Sequence, residues 1–314
     1  MEQFPIKEKI ARHLWNYKGR KIRIGIGCAH LQDIGENPDL KCFEESKEIL
    51  LKCYDIGFRY FDTSRQYEES EISVGKFINE IDRKTIFLAT KSPFNKRDIG
   101  FERFKRNFYE SFERLNTDYI DLFQIHDVDN YGVCCEQVIP FLEDRKKEGM
   151  IGYIGQGTRS LRAHIHGVMD GHIESMLSYM DYNLVKASAV SAINVAKKHG
   201  AAFINASVLL FGLIKRERDF NKVLYGPELR RMNYFKKLCG LCDDLGIDMI
   251  AASLQYSLLN PDIDVTLNGI RRFSNLESTI KSMDTFIYPE QWAEIFRLQS
   301  EYEQFYCEDE QNYH

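Results

Sequence analysis

No apolar stretch of this 314-residue chain approaches the roughly 20 residues a membrane-spanning helix needs, so no such helix is expected. The opening segment, MEQFPIKEKIARHLW, has charges throughout and no apolar h-region, so it does not read as a secretory signal. Positive charge is not in excess: 42 Lys and Arg against 47 Asp and Glu leave a net charge of −5. That balance argues against a general nucleic-acid partner. Gly25-Ile-Gly27 is followed by Cys-Ala-His, so the third glycine of a dinucleotide fingerprint is missing. No GxxxxGK[ST] phosphate loop and no GxSxG nucleophile elbow occur. There is also no fixed-period repeat, which excludes solenoids, and no Ser/Gly-rich linker to divide the chain.

What is present fits a soluble, cytoplasmic globular protein. The hydrophobic fraction of 44% is ordinary. Length alone suggests about two domains, but α/β barrels commonly run as one domain of this size. Eight cysteines, at 28, 42, 53, 134, 135, 239, 242 and 307, read as reduced thiols in the absence of a secretory signal. Cys239 and Cys242 form a CxxC, but inside a helical pattern and with no second ligand pair. They read as two small apolar residues on one helix face. No metal is expected.

Strand-like and helix-like patterns alternate along the chain. Strands are expected at Ile22–Cys28, Phe58–Phe61, Thr85–Thr90, Tyr119–Ile125, Ile151–Ile154, Met176–Tyr179, Ala202–Ala206 and Val265–Leu267. Helices are expected at Phe43–Tyr54, Glu71–Ile81, Phe101–Leu115, Ile139–Glu148, Ser160–Asp170, Lys186–His199, Glu228–Leu245, Met249–Leu259 and Asn275–Met283. Residues 1–22 should cap or decorate the barrel, and Pro289–Phe305 should form a helix outside the repeat. About eight strand–helix units predict an α/β fold, a (β/α)8 TIM barrel spanning 1–314 with an extra C-terminal helix.

Four ionisable residues follow strand-like runs: Asp62 and Tyr67 in FDTSRQYEESE, Lys91 ending ATK, and His126 in QIHD. The C-terminal ends of parallel barrel strands share one face, where active sites are built. A phenol with an ordinary pKa near 10 exchanges protons poorly at neutrality. The Lys91 ammonium is expected to lower the Tyr67 pKa, with Asp62 holding Lys91 in place. His126 is expected to donate a hydrogen bond that orients and polarises a substrate carbonyl. Taken singly, each has a plain structural explanation: a packed Tyr, a solvated Lys, a structural His. All four at strand ends in this order make a proton-transfer site.

With these motifs, together with RLNTDYIDLFQIHD and EGMIGYIG, the chain resembles the aldo-keto reductase superfamily over nearly its whole length. Through ILLKCYDIGFRYFDTS, ESMLSYMDYNL, INASVLLFGLI and SLQYSLLNPDI it resembles the L-galactose dehydrogenase and aldose 1-dehydrogenase branch in particular. The resemblance implies a nicotinamide cofactor, hydride transfer to or from a carbonyl or alcohol, and an Asp–Tyr–Lys–His tetrad. It implies cofactor contacts at Gly27, Cys28, Gly157, Thr158, Tyr179, Ser207, Leu209, Gly212, Gly269, Arg271, Arg272 and Asn275. There are departures. Gly157 and Thr158 stand where many members have Ser-Asn, Tyr179 where Gln is usual, Ala206 where a stacking Tyr is usual, and Ser278-Thr279 where Glu-Asn is frequent. Arginine pairs a 2′-phosphate through charge-assisted bonds, so Arg271 and Arg272 favour NADP, with NAD as the alternative.

The expected partner is a small carbonyl or sugar substrate, with no nucleic acid or membrane, in a monomer or small homo-oligomer. A cofactor-sensing regulatory subunit is the alternative function, and the lack of a long N-terminal extension favours the enzyme. A metal-dependent hydrolase would have to rely on Asp62, His126 and Asp127. His164 and His166 lie two apart and do not share a helix face. The loops at 29–41, 127–137 and 213–228 are expected to choose the substrate, with His30, Asp129, Tyr131 and Cys134 as candidate contacts.

Overall fold

The computed structural model describes residues 4–29, 31, 40–94, 100–128, 131–210, 227–303 and 305–307. Eight parallel strands close into a barrel: β3 (Ile24–Gly27), β4 (Tyr60–Asp62), β5 (Phe87–Pro93), β6 (Ile120–His126), β7 (Ile151–Gly157), β8 (Ser175–Tyr179), β9 (Ala202–Ala206) and β10 (Val265–Gly269), with β10 pairing back onto β3. Helices α2 (Leu40–Asp55), α3 (Ser70–Ile78), α4 (Phe101–Leu115), α5 (Tyr131–Lys147), α6 (Leu161–Met169) and α7 (Val190–His199) alternate with the strands. Then come α8 (Pro227–Asp244), α9 (Met249–Leu259), α10 (Phe273–Asp284) and α11 (Pro289–Ser300).

Alternation along each strand sorts the side chains into two cores. Phe61, Leu88, Phe123, Ile154, Met176 and Phe203 face outward and pack against the helices. Their neighbours Tyr60, Phe87, Leu122, Tyr153, Leu177 and Ile204 face inward. Tyr60, Phe87 and Tyr153 stack inside the barrel, with ring centroids 4.9 Å and 6.4 Å apart. Two residues further along the same rows stand Asp62, Ala89, Gln124 and Gly155, then Lys91, His126 and Gly157. The barrel is therefore apolar towards one end and ionisable towards the other.

Residues 1–22 do more than decorate. Helix α1 (Ile6–Arg12) sends Ile6 and Ile10, with Leu14 beyond it, into the inward core, so it plugs the apolar end. An antiparallel hairpin, β1 (Trp15–Tyr17) and β2 (Arg20–Ile22), comes next, turning at Lys18 and Gly19 in the left-handed region. Trp15 stacks on Phe58 at 4.2 Å, anchoring the hairpin beneath β4.

Several boundaries depart from expectation, three of them for a visible packing reason. Helix α5 starts at Tyr131, eight residues before Ile139, and runs through Pro140. Packing of Tyr131, Cys134 and Val138 into the outer core overrides the proline, which would otherwise read as a helix start. Helix α7 begins at Val190, because residues 181–188 form a turn around a buried ion pair between Lys186 and Asp181. The last helix stops at Ser300, and Phe305 returns to pack with Tyr234 in a separate cluster beneath α8, α9 and α11. Cys239 and Cys242 belong to that cluster, Cys242 fully buried.

Candidate active site

The strand order delivers Asp62, Lys91 and His126 to one mouth. Asp62 ends β4, Lys91 lies in β5 and His126 ends β6. Tyr67 arrives on the turn after β4, whose backbone is tied down by Thr63 N–H to Ala89 O at 2.9 Å and Arg65 N–H to Lys91 O at 2.9 Å. From outside, Arg114 of α4 clamps the same turn, donating to Glu71 Oε2 at 3.2 Å and to the Glu68 carbonyl and pairing with Glu69 Oε2 at 3.0 Å.

Lys91 is 1% exposed and donates to Asp62 Oδ1 and, at 2.9 Å, to the Thr63 carbonyl. Gln124 Nε2 donates to Asp62 Oδ2 at 3.0 Å. Both Asp62 oxygens are thus engaged by neighbours inside the barrel, which sets Asp62 as the anchor of Lys91. The Lys91 ammonium lies 4.9 Å from the centre of the Tyr67 ring. His126 meets Tyr67 edge-on, centroids 5.8 Å apart and planes at 89°. The structure therefore gathers all four tetrad positions into one cluster.

The electrostatics correct one expectation. Burial pushes the Tyr67 phenol above its ordinary value; Lys91 pulls it down but does not overcome the burial. Burial also raises Asp62, against the pull of Lys91 and Gln124. It would lower Lys91, yet Asp62 and Tyr67 beside it together outweigh burial and keep the ammonium charged. His126 is driven well below its ordinary value by burial and by the Lys91 charge, so the imidazole is neutral.

The expected cofactor contacts sit around the same rim. Gly27 ends β3 and Cys28 comes directly after it, fully buried, its thiol pushed up by burial. Gly157 ends β7; a Cβ there would lie 3.1 Å from Lys91 Cδ, so glycine leaves the floor of the mouth open. Thr158 is buried, and its carbonyl accepts from His164 Nε2 at 2.9 Å. His164 is buried and His166 exposed, so the two turn to different sides of α6. Tyr179 ends β8 in register with Ala206 of β9, so an aromatic and a small residue stand side by side on adjacent strands. Ser207 and Leu209 come after β9, Ser207 in the left-handed region. Gly269 ends β10 with open space where a Cβ would be. Arg271 and Arg272 precede α10, and Asn275 Oδ1 caps that helix by accepting from their N–H groups at 3.3 and 3.1 Å. Gly212, His30 and Asp129 lie outside the described residues. Tyr131 and Cys134 are buried in the outer core and do not wall the mouth.

Several contributors carried no sequence assignment. Gln124 and Ser64 both lie inside motifs that stand out for other residues. Ser64 Oγ lies 3.1 Å from His126 Nδ1. The period of two running 122, 124, 126 was the available signal for Gln124. Asp127, with φ at +52°, brings Oδ1 to 3.9 Å from His126 Nε2. Glu68, Asp127, Met180 and Ser207, all non-glycine residues with positive φ, cluster just past the site-bearing strand ends, where such conformations accompany function. A separate cleft of about 430 Å³, touched by Arg12, His13, Lys21 and Arg59, opens at the opposite end of the barrel and holds none of this chemistry.

A closed eight-stranded parallel barrel with a buried Asp–Lys pair, a phenol and an imidazole gathered at its C-terminal mouth defines a (β/α)8 barrel protein with an ionisable cluster at the strand ends. Residues 23–299 match the Aldo/keto reductase family, and the chain belongs to that family. It is 28% identical to L-galactose dehydrogenase of Arabidopsis thaliana over 252 residues, covering 76% of this chain and 78% of that protein. It is 23% identical to D-threo-aldose 1-dehydrogenase of a Pseudomonas species, covering 80% of this chain and 87% of that one. Among solved structures, the holo form of an aldo-keto reductase from Bacillus halodurans shares the fold with a TM-score of 0.75 at 20% identity, over 96% of this chain and 98% of that one. The protein is an oxidoreductase of this family with sugar dehydrogenases among its homologues. No helix among the described residues is long and apolar enough to cross a membrane.

Proposed function

We propose that the protein is a nicotinamide-dependent oxidoreductase of sugars or similarly polar alcohols and carbonyls, with Tyr67 as the general acid–base. The observation that carries this reading is the Asp62–Lys91–Tyr67–His126 cluster at the barrel mouth. When bound, the cofactor supplies or accepts the hydride. The remaining work falls to the protein. Tyr67 gives or takes the proton on the substrate oxygen. Lys91 favours the phenolate against the cost of burial, Asp62 and Gln124 hold Lys91, and His126 orients the substrate oxygen.

The rim fits a dinucleotide on observations of this chain. Gly157 keeps the floor open beside Lys91, and Gly269 leaves room for a close backbone approach. Asn268 Oδ1 is buried and without a hydrogen-bond partner at the end of β10. Tyr179 beside Ala206 supports a flat ring surface shifted one strand from the position usual in the family. Arg271 and Arg272 at the α10 N-terminus suit a 2′-phosphate, since both the arginines and the helix end favour anions. NADP is therefore the favoured cofactor.

Tyr67→Phe tests the assignment. It removes only the phenolic oxygen, so turnover should fall about 10²–10⁴-fold while NADPH still binds, read by quenching of protein fluorescence. Turnover close to wild type would sink the mechanism. The regulatory alternative would show as tight NADP(H) binding with no turnover of any aldose or aldehyde by the wild-type protein.

A further inference from the structure

We propose that the protein forms a two-fold symmetric homodimer through an exposed aromatic ridge where α10 passes into α11. The ridge packs on its own copy. The basic β1–β2 hairpin of each protomer then lies against the acidic outer face of α11 of the other.

The ridge follows from helical spacing. Tyr288, Trp292 and Phe296 recur every four residues, so they line one side of α11. Trp292 stacks on Phe296, centroids 5.7 Å apart, and the Tyr256 ring reaches Phe296 from α9 at 6.4 Å. Phe286, just before the helix, meets Tyr288 edge-on at 4.9 Å. Trp292 is buried, but Phe286 is 71% exposed, Tyr288 is 58% exposed, and Phe296 and Leu259 are exposed as well. Single exposed apolar side chains are ordinary on a protein surface. Aromatic rings in contact with one another and open to solvent form a contiguous patch, which marks a contact surface.

Charge on the two flanks selects the occupant. On one flank Phe286 walls a cleft of about 380 Å³ with Arg20, Lys21, Leu258 and Met283. The hairpin there carries Lys18, Arg20 and Lys21. Lys18 pairs with Asp284 at 2.7 Å, while Arg20 and Lys21 make no salt bridge among the described residues. On the other flank α11 carries Glu290 and Glu294, with Glu301 just past its end. Arg297 pairs with Glu294 at 2.8 Å and with Glu301 at 2.7 Å, while Glu290 makes no salt bridge among the described residues. The flanks thus hold opposite surplus charges across an apolar centre. Such a face is complementary to itself after half a turn, because in an isologous contact each flank meets the other's mate. A partner of one charge sign would be attracted by one flank and repelled by the other. Asp284 also accepts from Tyr17 at 2.8 Å, which ties the hairpin to the end of α10 and holds both flanks on one platform. That platform lies towards the barrel end closed by α1, so pairing leaves the mouth open.

Sedimentation velocity of the full-length protein across the micromolar range tests this. The wild type should pass from monomer to dimer as concentration rises. Phe286→Ser should raise the dimer dissociation constant roughly tenfold or more, the usual cost of truncating a central aromatic anchor. Lys21→Glu and Glu290→Lys should each weaken the dimer, and the two together in one chain should restore it, because the reversed charges meet again across the two-fold axis. That restoration also shows that the single variants are folded. A wild type that stays monomeric throughout overturns the proposal. So does a dimer indifferent to Phe286→Ser, which would pair through another face. A double charge reversal no tighter than either single one overturns the two-fold arrangement.

Discussion

At the residue scale the governing balance is between burial and the Lys91 charge at Tyr67. Burial above all, with the Asp62 and Asp127 charges, carries the phenol upward, and Lys91 pulls against them. Lys91→Met should therefore move the alkaline limb of the pH–rate profile to higher pH, because the phenolate loses the Lys91 charge while burial persists. The check is kcat/KM against pH for both proteins. A limb that stays in place would show that Lys91 does not tune Tyr67.

At the element scale, helices hold the rim through side-chain contacts to its backbone. Helix α6 reaches it through His164, whose Nε2 donates to the Thr158 carbonyl and whose pKa burial lowers to about 4. The unfolded chain binds a proton near pH 6.5 and the folded one does not until about pH 4, so stability falls as pH drops through that window. The loss amounts to about 3 kcal/mol for this one group. His164→Gln should flatten the decline in chemical-denaturation midpoint between pH 6.5 and 4, with the part due to His126 remaining. An unchanged slope would mean His164 protonates in the fold.

Helix α10 carries the other end of the proposed cofactor site. Arg271→Ala should narrow the preference for NADPH over NADH, with about 1–3 kcal/mol of a charge-assisted contact at stake. Fluorescence titration of both nucleotides measures it. A wild-type preference for NADH refutes the assignment of the arginines.

At the scale of the whole molecule, the barrel is closed at one end by α1 and open to chemistry at the other. Ile10 is 1% exposed in the inward core. Ile10→Ala should cost about 2–5 kcal/mol through lost burial and a residual cavity. Urea unfolding measures that loss, and kcat of the folded variant should stay near wild type because the tetrad lies at the opposite end. A second close contact, Gly75 of α3 against the end of α4, constrains the Tyr67 turn from behind: a Cβ there would meet the Arg114 carbonyl at 2.4 Å. Gly75→Ala should destabilise the fold by about 1–3 kcal/mol and lower kcat as well, since Arg114 clamps the turn bearing Tyr67.

The alternation of strand and helix patterns was enough to determine the barrel, and the strand-end positions of Asp62, Lys91 and His126 were enough to nominate them. Both are local signals, carried by hydrophobic period, by β-branched runs and by the ionisable residue at the end of each run. Tyr67 was legible only because its turn is short. Three things were decided by the tertiary structure. Which way the Tyr67 pKa moves depended on how deeply the mouth is buried, and no local pattern encodes burial. Whether residues 131–138 form loop or helix depended on outer-core packing against Pro140's preference. The partners of Asp62 and His126, namely Gln124 and Ser64, stand 62 residues from them along the chain. Only closure of β4, β5 and β6 into one wall brings those polar atoms within hydrogen-bond reach, and with them the anchor of Lys91.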